Sequence, residues 1–213
     1  MGALGRWLRS LAGENQASAN AVTRDQRPLD AHELKLCRAQ IRTHKVLRDE
    51  YMSADQERMS LRLDSDGMPT GHLARDRNRL LVVTPAGKVN PKSVHAYKVG
   101  IFSFTIRGTG YYEDACGAGD FSPGAHLRLV REPNNPFDPA AIAIYAAGAS
   151  SKLGHVNKLN AKRLAPRMDR GEELVAISTR GEPPGFKEYV PHVLVAERRV
   201  MRYLLRNTSI PVP

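Results

Sequence analysis

The stretch Leu127-Arg128-Leu129-Val130-Arg131-Glu132-Pro133-Asn134-Asn135-Pro136-Phe137-Asp138-Pro139-Ala140-Ala141-Ile142-Ala143-Ile144 constrains this chain more than any other. Two alternating apolar segments flank a turn that carries three prolines. Proline fixes φ near about −65° and removes a hydrogen-bond donor. The flanks therefore read as two strands joined through a rigid corner. That corner confines two amides, Asn134 and Asn135, one ring, Phe137, and one carboxylate, Asp138.

Those four side chains suit a nucleic-acid end. Amides can bond base edges or sugar, and a ring stacked on a base contributes roughly 1–3 kcal/mol. A carboxylate is repelled by phosphate but accepts from a terminal hydroxyl or an exocyclic amine. Asp138 would then favour a free 3′-hydroxyl over a phosphorylated end. The local alternative is that Asn134, Asn135 and Asp138 bond their own turn backbone, and spacing alone favours it.

Around the corner the pattern is strands punctuated by turns. Val99–Ile106, His126–Arg131, Ala141–Tyr145, Leu153–Val156, Leu174–Thr179 and Tyr189–Val195 are six candidates, with Ile142 and Ile144 pointing inward. Pro191 suggests that the last is an edge or bulged strand. One helix interrupts them, with Ala161, Leu164, Ala165 and Met168 on one face. Asn157 or Asn160 can cap its start and Gly171 can end it. Pro166 is expected to kink or shorten it. Short antiparallel strands with one helix predict a mainly β fold with α insertions, a small barrel.

Upstream, residues 1–28 read as a flexible or amphipathic segment and Leu29 to Tyr51 as a helix. Residues 60–84 read as short strands around the turn Asp64-Ser65-Asp66-Gly67, within an unassigned unit 29–95. Residues 96–198 form the barrel unit and 199–213 a basic tail.

Two further segments carry polar chemistry. In Arg107-Gly108-Thr109-Gly110-Tyr111-Tyr112 the glycines permit a sharp turn, and adjacent tyrosines on extended chain point opposite ways. One ring can be core while the other is an exposed stacking platform; the alternative is that both pack, the usual fate of tyrosine in a small barrel. In Lys152-Leu153-Gly154-His155-Val156-Asn157-Lys158-Leu159-Asn160-Ala161 a strand meets the helix start, where N–H groups and Lys158 can face an anion. His155 by itself is expected to be a structural histidine.

Charge agrees with such a ligand. Lys and Arg number 32 against 22 Asp and Glu, a net charge of +10. Such a chain is drawn to polyanions. Lys152, Lys158, Lys162, Arg163, Arg167 and Arg170 face one acid, Asp169, across residues 152–170. No apolar run approaches the roughly 20 residues that a membrane span needs. Cys37 and Cys116 lie too far apart for a disulfide framework or a zinc pattern. A reducing, cytoplasmic setting with no cofactor and no metal is expected.

The residues Gly108-Thr109-Gly110-Tyr111-Tyr112, then Leu129 to Ile142, then Leu153-Gly154-His155-Val156, then Ala161 and Leu164-Ala165-Pro166 together resemble the HIRAN domain family. The resemblance implies an OB-like β-barrel with short helices from about Tyr97 to Glu197. It implies binding of the 3′ end of single-stranded DNA, in DNA repair or replication, beside a separate DNA-remodelling ATPase. Tyr111 is similar to the family's base-stacking tyrosine, with Tyr112 beside it. Asn134 and Asn135 correspond to backbone and base contacts, and Phe137 to a ring position that is tyrosine in the best-known member. Asp138 corresponds to the 3′-hydroxyl acceptor. His155 and Lys158 correspond to positions near phosphate, and Lys162 extends that basic side.

Two other function classes compete. Gly110 replaces a family arginine, and Val193 to Glu197 lacks a family aromatic, so a protein-interaction scaffold that lost the DNA pocket is the alternative. An enzyme is the third: Cys116 with His126 could make a nucleophile pair. The acidic, glycine-rich insertion from Glu113 to Gly124 reads instead as a flexible loop. No phosphate-cradling Gly-x-x-x-x-Gly-Lys-Ser/Thr loop occurs, so no ATP-driven activity is expected from this chain.

Overall fold

Alternating apolar residues and turn signals produce one antiparallel sheet with short helices. A computed structural model of the chain describes residues 51–185 and 191–208. The expected N-terminal segment 1–28 and the helix from Leu29 lie outside the described residues.

In chain order the elements are α1 (Ala54–Ser60), β1 (His72–Asp76), β2 (Arg79–Thr84), β3 (Gly87–Lys88) and α2 (Val94–Lys98). Next come β4 (Phe102–Thr105), a 3-10 turn (Thr109–Tyr111), α3 (Glu113–Ala118), β5 (His126–Arg131) and β6 (Ile142–Ala146). The chain continues through β7 (Lys152–His155), α4 (Lys158–Asp169), β8 (Leu174–Arg180), β9 (His192–Glu197) and α5 (Arg198–Leu205).

Six strands run round a cylinder. β7 pairs β6, β6 pairs β5, β5 pairs β8, β8 pairs β9 and β9 pairs β4, all antiparallel. The ladder itself stays open between β4 and β7. One bridge spans that gap: Arg107 and His155 exchange both backbone hydrogen bonds, each 2.9 Å long. The fold is thus mainly β with short helices, as the sequence leads one to expect.

Strand periodicity then divides the core in two. Successive side chains of a strand face opposite ways. On β8 and β9, Ala176, Val193 and Val195 enter one cluster with Phe102, Phe104, Ile142, Ile144 and Leu153, closed by Leu164 of α4. Val175, Ile177, Leu194 and Ala196 face the opposite cluster, formed with Leu73, Leu80, Val82 and Met201. β8 and β9 are buried on both faces, which explains why both read as continuous apolar runs. Burial on two sides also accounts for the position of residues 52–101: Met52, Leu61, Val89, Val99 and Ile101 share the second cluster with α5.

Several local expectations change. Pro191 does not mark an edge: it precedes β9, which is paired on both sides, and its carbonyl accepts from Ile106 N–H at 3.3 Å. A register shift between Ser178 and Arg180 supplies the bulge beside it. Pro166 does not shorten α4, which runs to Asp169 with Asn157 accepting from Asn160 N–H at 3.0 Å as its cap. Pro166 and Lys162 are both exposed, so the carbonyl left without its helical donor lies on the solvated side. The insertion after Tyr112 is not a plain loop but begins as α3. Where a basic tail was expected, the chain forms α5. Val200, Met201, Leu204 and Leu205 are buried along one side of it, while Arg198, Arg199 and Arg202 occupy the other. Among the described residues, no helix is long and apolar enough to cross a membrane.

Candidate nucleic-acid interface

The corner between β5 and β6 is rigid for reasons beyond its prolines. Arg131 donates to the carbonyls of Ala141 at 2.7 Å and Pro139 at 3.1 Å, and reaches Asp169 of α4 at 2.9 Å. The turn is then tied by its own amide. Asn135 Oδ1 accepts from Phe137 N–H at 3.0 Å and from Asp138 N–H at 3.3 Å. Asp138 Oδ1 accepts from Ala140 N–H at 2.9 Å. The local alternative therefore holds for Asn135 and for one oxygen of Asp138. No described residue donates to Asp138 Oδ2.

Tying the backbone this way pushes Phe137 outward, and it is 92% exposed. Tyr111 is 89% exposed. The two tyrosines sit on the 3-10 turn and its exit rather than on extended chain, so the reason for their divergence differs from strand alternation. Gly108 holds φ at +77° and starts that turn, a conformation that favours glycine. Tyr112 is half-buried, with its ring centroid 6.4 Å from that of His155. Single large apolar groups on a surface are ordinary, but each of these two rings is nearly bare.

Glu132 joins these parts, and sequence reasoning overlooked it. Its carboxylate accepts from Asn135 Nδ2 at 2.8 Å and from Lys152 Nζ at 3.0 Å, and lies 3.0 Å from His155 Nε2. Burial would raise its pKa, but the hydrogen bonds from Lys152, Asn135 and His155 outweigh burial and lower it to about 2. Hydrogen bonding to Glu132 also raises the Lys152 pKa. Lys152 lies 5.6 Å from the centroid of the Tyr112 ring, so cation, ring and acid are stacked in one group. Lys152 and His155 are three apart and would face opposite ways on a regular strand. The register shift between Ile144 and Tyr145 lets both reach one carboxylate. One acid among two bases is a visible signal, but only the β5–β6–β7 register shows that they meet.

The structure thus ties His155 and Asn135 to Glu132, the backbone amides of Phe137 and Asp138 to Asn135, and packs Tyr112 beside His155. Asn134, Lys158 and Lys162 are exposed. Lys158 opens α4 and Lys162 lies one turn on, about 6 Å along the axis. Among the described residues no group of three or more His, Cys, Asp or Glu could hold a metal ion. The thiol of Cys116 lies 3.3 Å from the Leu153 carbonyl, and burial raises its pKa. A raised thiol pKa lowers the thiolate fraction that nucleophilic chemistry needs.

The corner presents an exposed ring and an acid, and the segment that contains it is similar to a known domain family. The model of the HIRAN domain family matches residues 99–184. The matched residues, less than half of the chain, are similar to a HIRAN domain. Among solved structures, the crystal structure of the HIRAN domain of human HLTF is 21% identical, covering 50% of this chain and 84% of that one at a TM-score of 0.38. A protein from Lactobacillus plantarum is 24% identical, covering 45% of this chain and 91% of that one at a TM-score of 0.37. The HLTF HIRAN domain in its DNA-bound conformation is 22% identical, covering 50% of this chain and 86% of that one at a TM-score of 0.33. No curated protein matches the chain.

Proposed function

We propose that this protein binds single-stranded DNA and reads its 3′-hydroxyl end at the Pro133–Pro139 corner. The observations that carry the reading are the exposure of Tyr111 and Phe137, at 89% and 92%, and an oxygen of Asp138 to which no described residue donates. Bases stack on the two rings, and Asn134 contacts the sugar or a base edge. Asp138 Oδ2 accepts from the terminal hydroxyl, a charge-assisted bond of about 2.5–2.7 Å. A 3′-phosphate in that place would meet like charge. Lys158 and Lys162 take backbone phosphates further along the strand. His155 and Tyr112 support the corner from behind through Glu132. The chain acts with a separate DNA-remodelling ATPase in repair or replication.

A labelled oligonucleotide ending in a 3′-hydroxyl tests this against the same strand ending in a 3′-phosphate. Tighter binding of the hydroxyl end, and loss of that preference in Asp138→Asn, is the expected result. Equal binding of both ends removes the end-reading role. Absence of saturable binding at low salt removes the DNA role and favours the scaffold alternative.

A further inference from the structure

The charges of α4 divide into two sets. In its second half they are paired: Arg167 and Arg170 both bond Glu172, at 2.6 Å and 2.7 Å, and Asp169 is taken by Arg131. In its first half Lys158, Lys162 and Arg163 are exposed, and no described Asp or Glu pairs with any of them. Lys98, which ends α2, is exposed and has no acid partner among the described residues either. At about 100° per residue round the helix, Leu159 stands between Lys162 and Arg163, and it is 59% exposed. Arg163 has a fixed seat. Its guanidinium carbon lies over the half-buried ring of Tyr97, 4.3 Å from the centroid. Tyr97 in turn packs on the buried ring of Phe102, with centroids 5.7 Å apart. Tyr97 precedes the residues 99–184 that match the HIRAN family, so this seat is not part of the matched segment.

A guanidinium resting on a ring has given up part of its side-chain freedom before any ligand arrives, so less is lost on binding. Tyr97 covers one side of it and solvent meets the other. The open side of such a plane stacks on an unpaired base, and its N–H donors suit phosphate, a combination that lysine does not offer. Arg163 lies about 7.5 Å from Lys158 along the helix axis, so one strand can meet Lys158, Lys162 and Arg163 in turn. We propose that the strand held at the Pro133–Pro139 corner continues across α4, and that a base a few nucleotides 5′ of the captured end stacks on Arg163 above Tyr97, with Lys98 taking a phosphate beyond it. Exposed Leu159 packs against the sugars between. The proposal rests on the reading of the corner as a 3′-end site and adds an internal contact to it. A duplex does not meet the requirement, because its bases are already stacked on one another.

The test measures binding of the full chain to two single strands with the same 3′-hydroxyl end, one of about four nucleotides and one of about ten. The longer strand is expected to bind more tightly. Arg163→Lys keeps the charge and removes the plane. It should weaken the longer strand about ten-fold, leave the shorter one unchanged, and leave the slope of log K against log salt unchanged. An abasic nucleotide moved along the longer strand should find one position, 5′ of the end, where the wild type loses about ten-fold and Arg163→Lys loses nothing further. Arg163 is exposed, and thermal melts of the variant report that the fold is kept. Undiminished binding of the longer strand by Arg163→Lys overturns the proposal, since charge attraction alone would then account for the contact. Equal weakening of both lengths overturns it by placing Arg163 at the end-binding site, and so does a wild type that binds both lengths equally. Failure of the corner reading shows separately, as equal affinity of the shorter strand with a 3′-hydroxyl or a 3′-phosphate, and leaves the Arg163→Lys loss on the longer strand readable.

Discussion

The carboxylate of Glu132 lies 3.0 Å from His155 Nε2, joining the end of β5 to the end of β7 beneath the proline corner. Through the same carboxylate Asn135 is oriented, and Asn135 in turn holds the amides of Phe137 and Asp138. The geometry of two outward-facing groups therefore depends on one inward-facing acid.

Removing that charge should show as a pH-dependent loss of stability. Glu132 has a folded pKa of about 2, below the ordinary value of 4.5. A depressed acid stabilises the fold above its unfolded pKa, and that contribution fades as pH falls through the folded one. The difference between wild type and Glu132→Gln is expected to be on the order of 1–2 kcal/mol above pH 5, after allowance for solvent screening. It should shrink steadily between about pH 4.5 and pH 2. Urea unfolding of both proteins across that range checks it, and a constant difference would contradict the role given to Glu132.

Truncating the displayed rings should separate binding from folding. Tyr111→Ala and Phe137→Ala remove groups that touch little of the protein, so stability should move by no more than about 0.5 kcal/mol. Each should weaken single-stranded DNA by roughly 1–3 kcal/mol. Fluorescence anisotropy and thermal melts on the same samples read the two effects.

The basic face of α4 should be visible in the salt dependence. Lys158→Ala and Lys162→Ala each remove one phosphate contact. The slope of log K against log salt should become shallower by about 0.7 per residue on a single strand. A uniform loss of affinity with an unchanged slope would place those lysines away from the strand.

Gly154 should tolerate no side chain. Its φ is +147°, and a Cβ there would run into the Arg107 carbonyl and the Ile106 side chain. Gly154→Ala is expected to cost about 3 kcal/mol or more, from backbone strain and the collision together. Equilibrium unfolding measures it directly.

Much of this architecture can be read from residues alone, where a local rule and the tertiary fold agree. His126–Arg131 alternates and becomes β5 with those bounds, and Asn157 caps α4 as its side chain suggests. The corner is legible because three prolines leave the backbone few choices. α1 has a signal that was passed over: Ser53 and Gln56 form a reciprocal capping box, the pattern that marks a helix start. Other features depend on neighbours distant in sequence. Pro191 looks like an edge marker until β4 is seen to pair β9. Glu132 looks like one surface acid until the bulge in the β6–β7 ladder delivers Lys152 and His155 to it. The seat of Arg163 over Tyr97 has no local signature, because it joins two helices distant in sequence.

The wall of the cylinder has one narrow seam, the mutual backbone bonds of Arg107 and His155. His155 also faces Glu132 with its ring and Tyr112 with its plane. A single residue thus serves as both latch and floorboard. Replacing its ring would therefore undo the bracing of the corner while leaving the two backbone bonds that hold the seam.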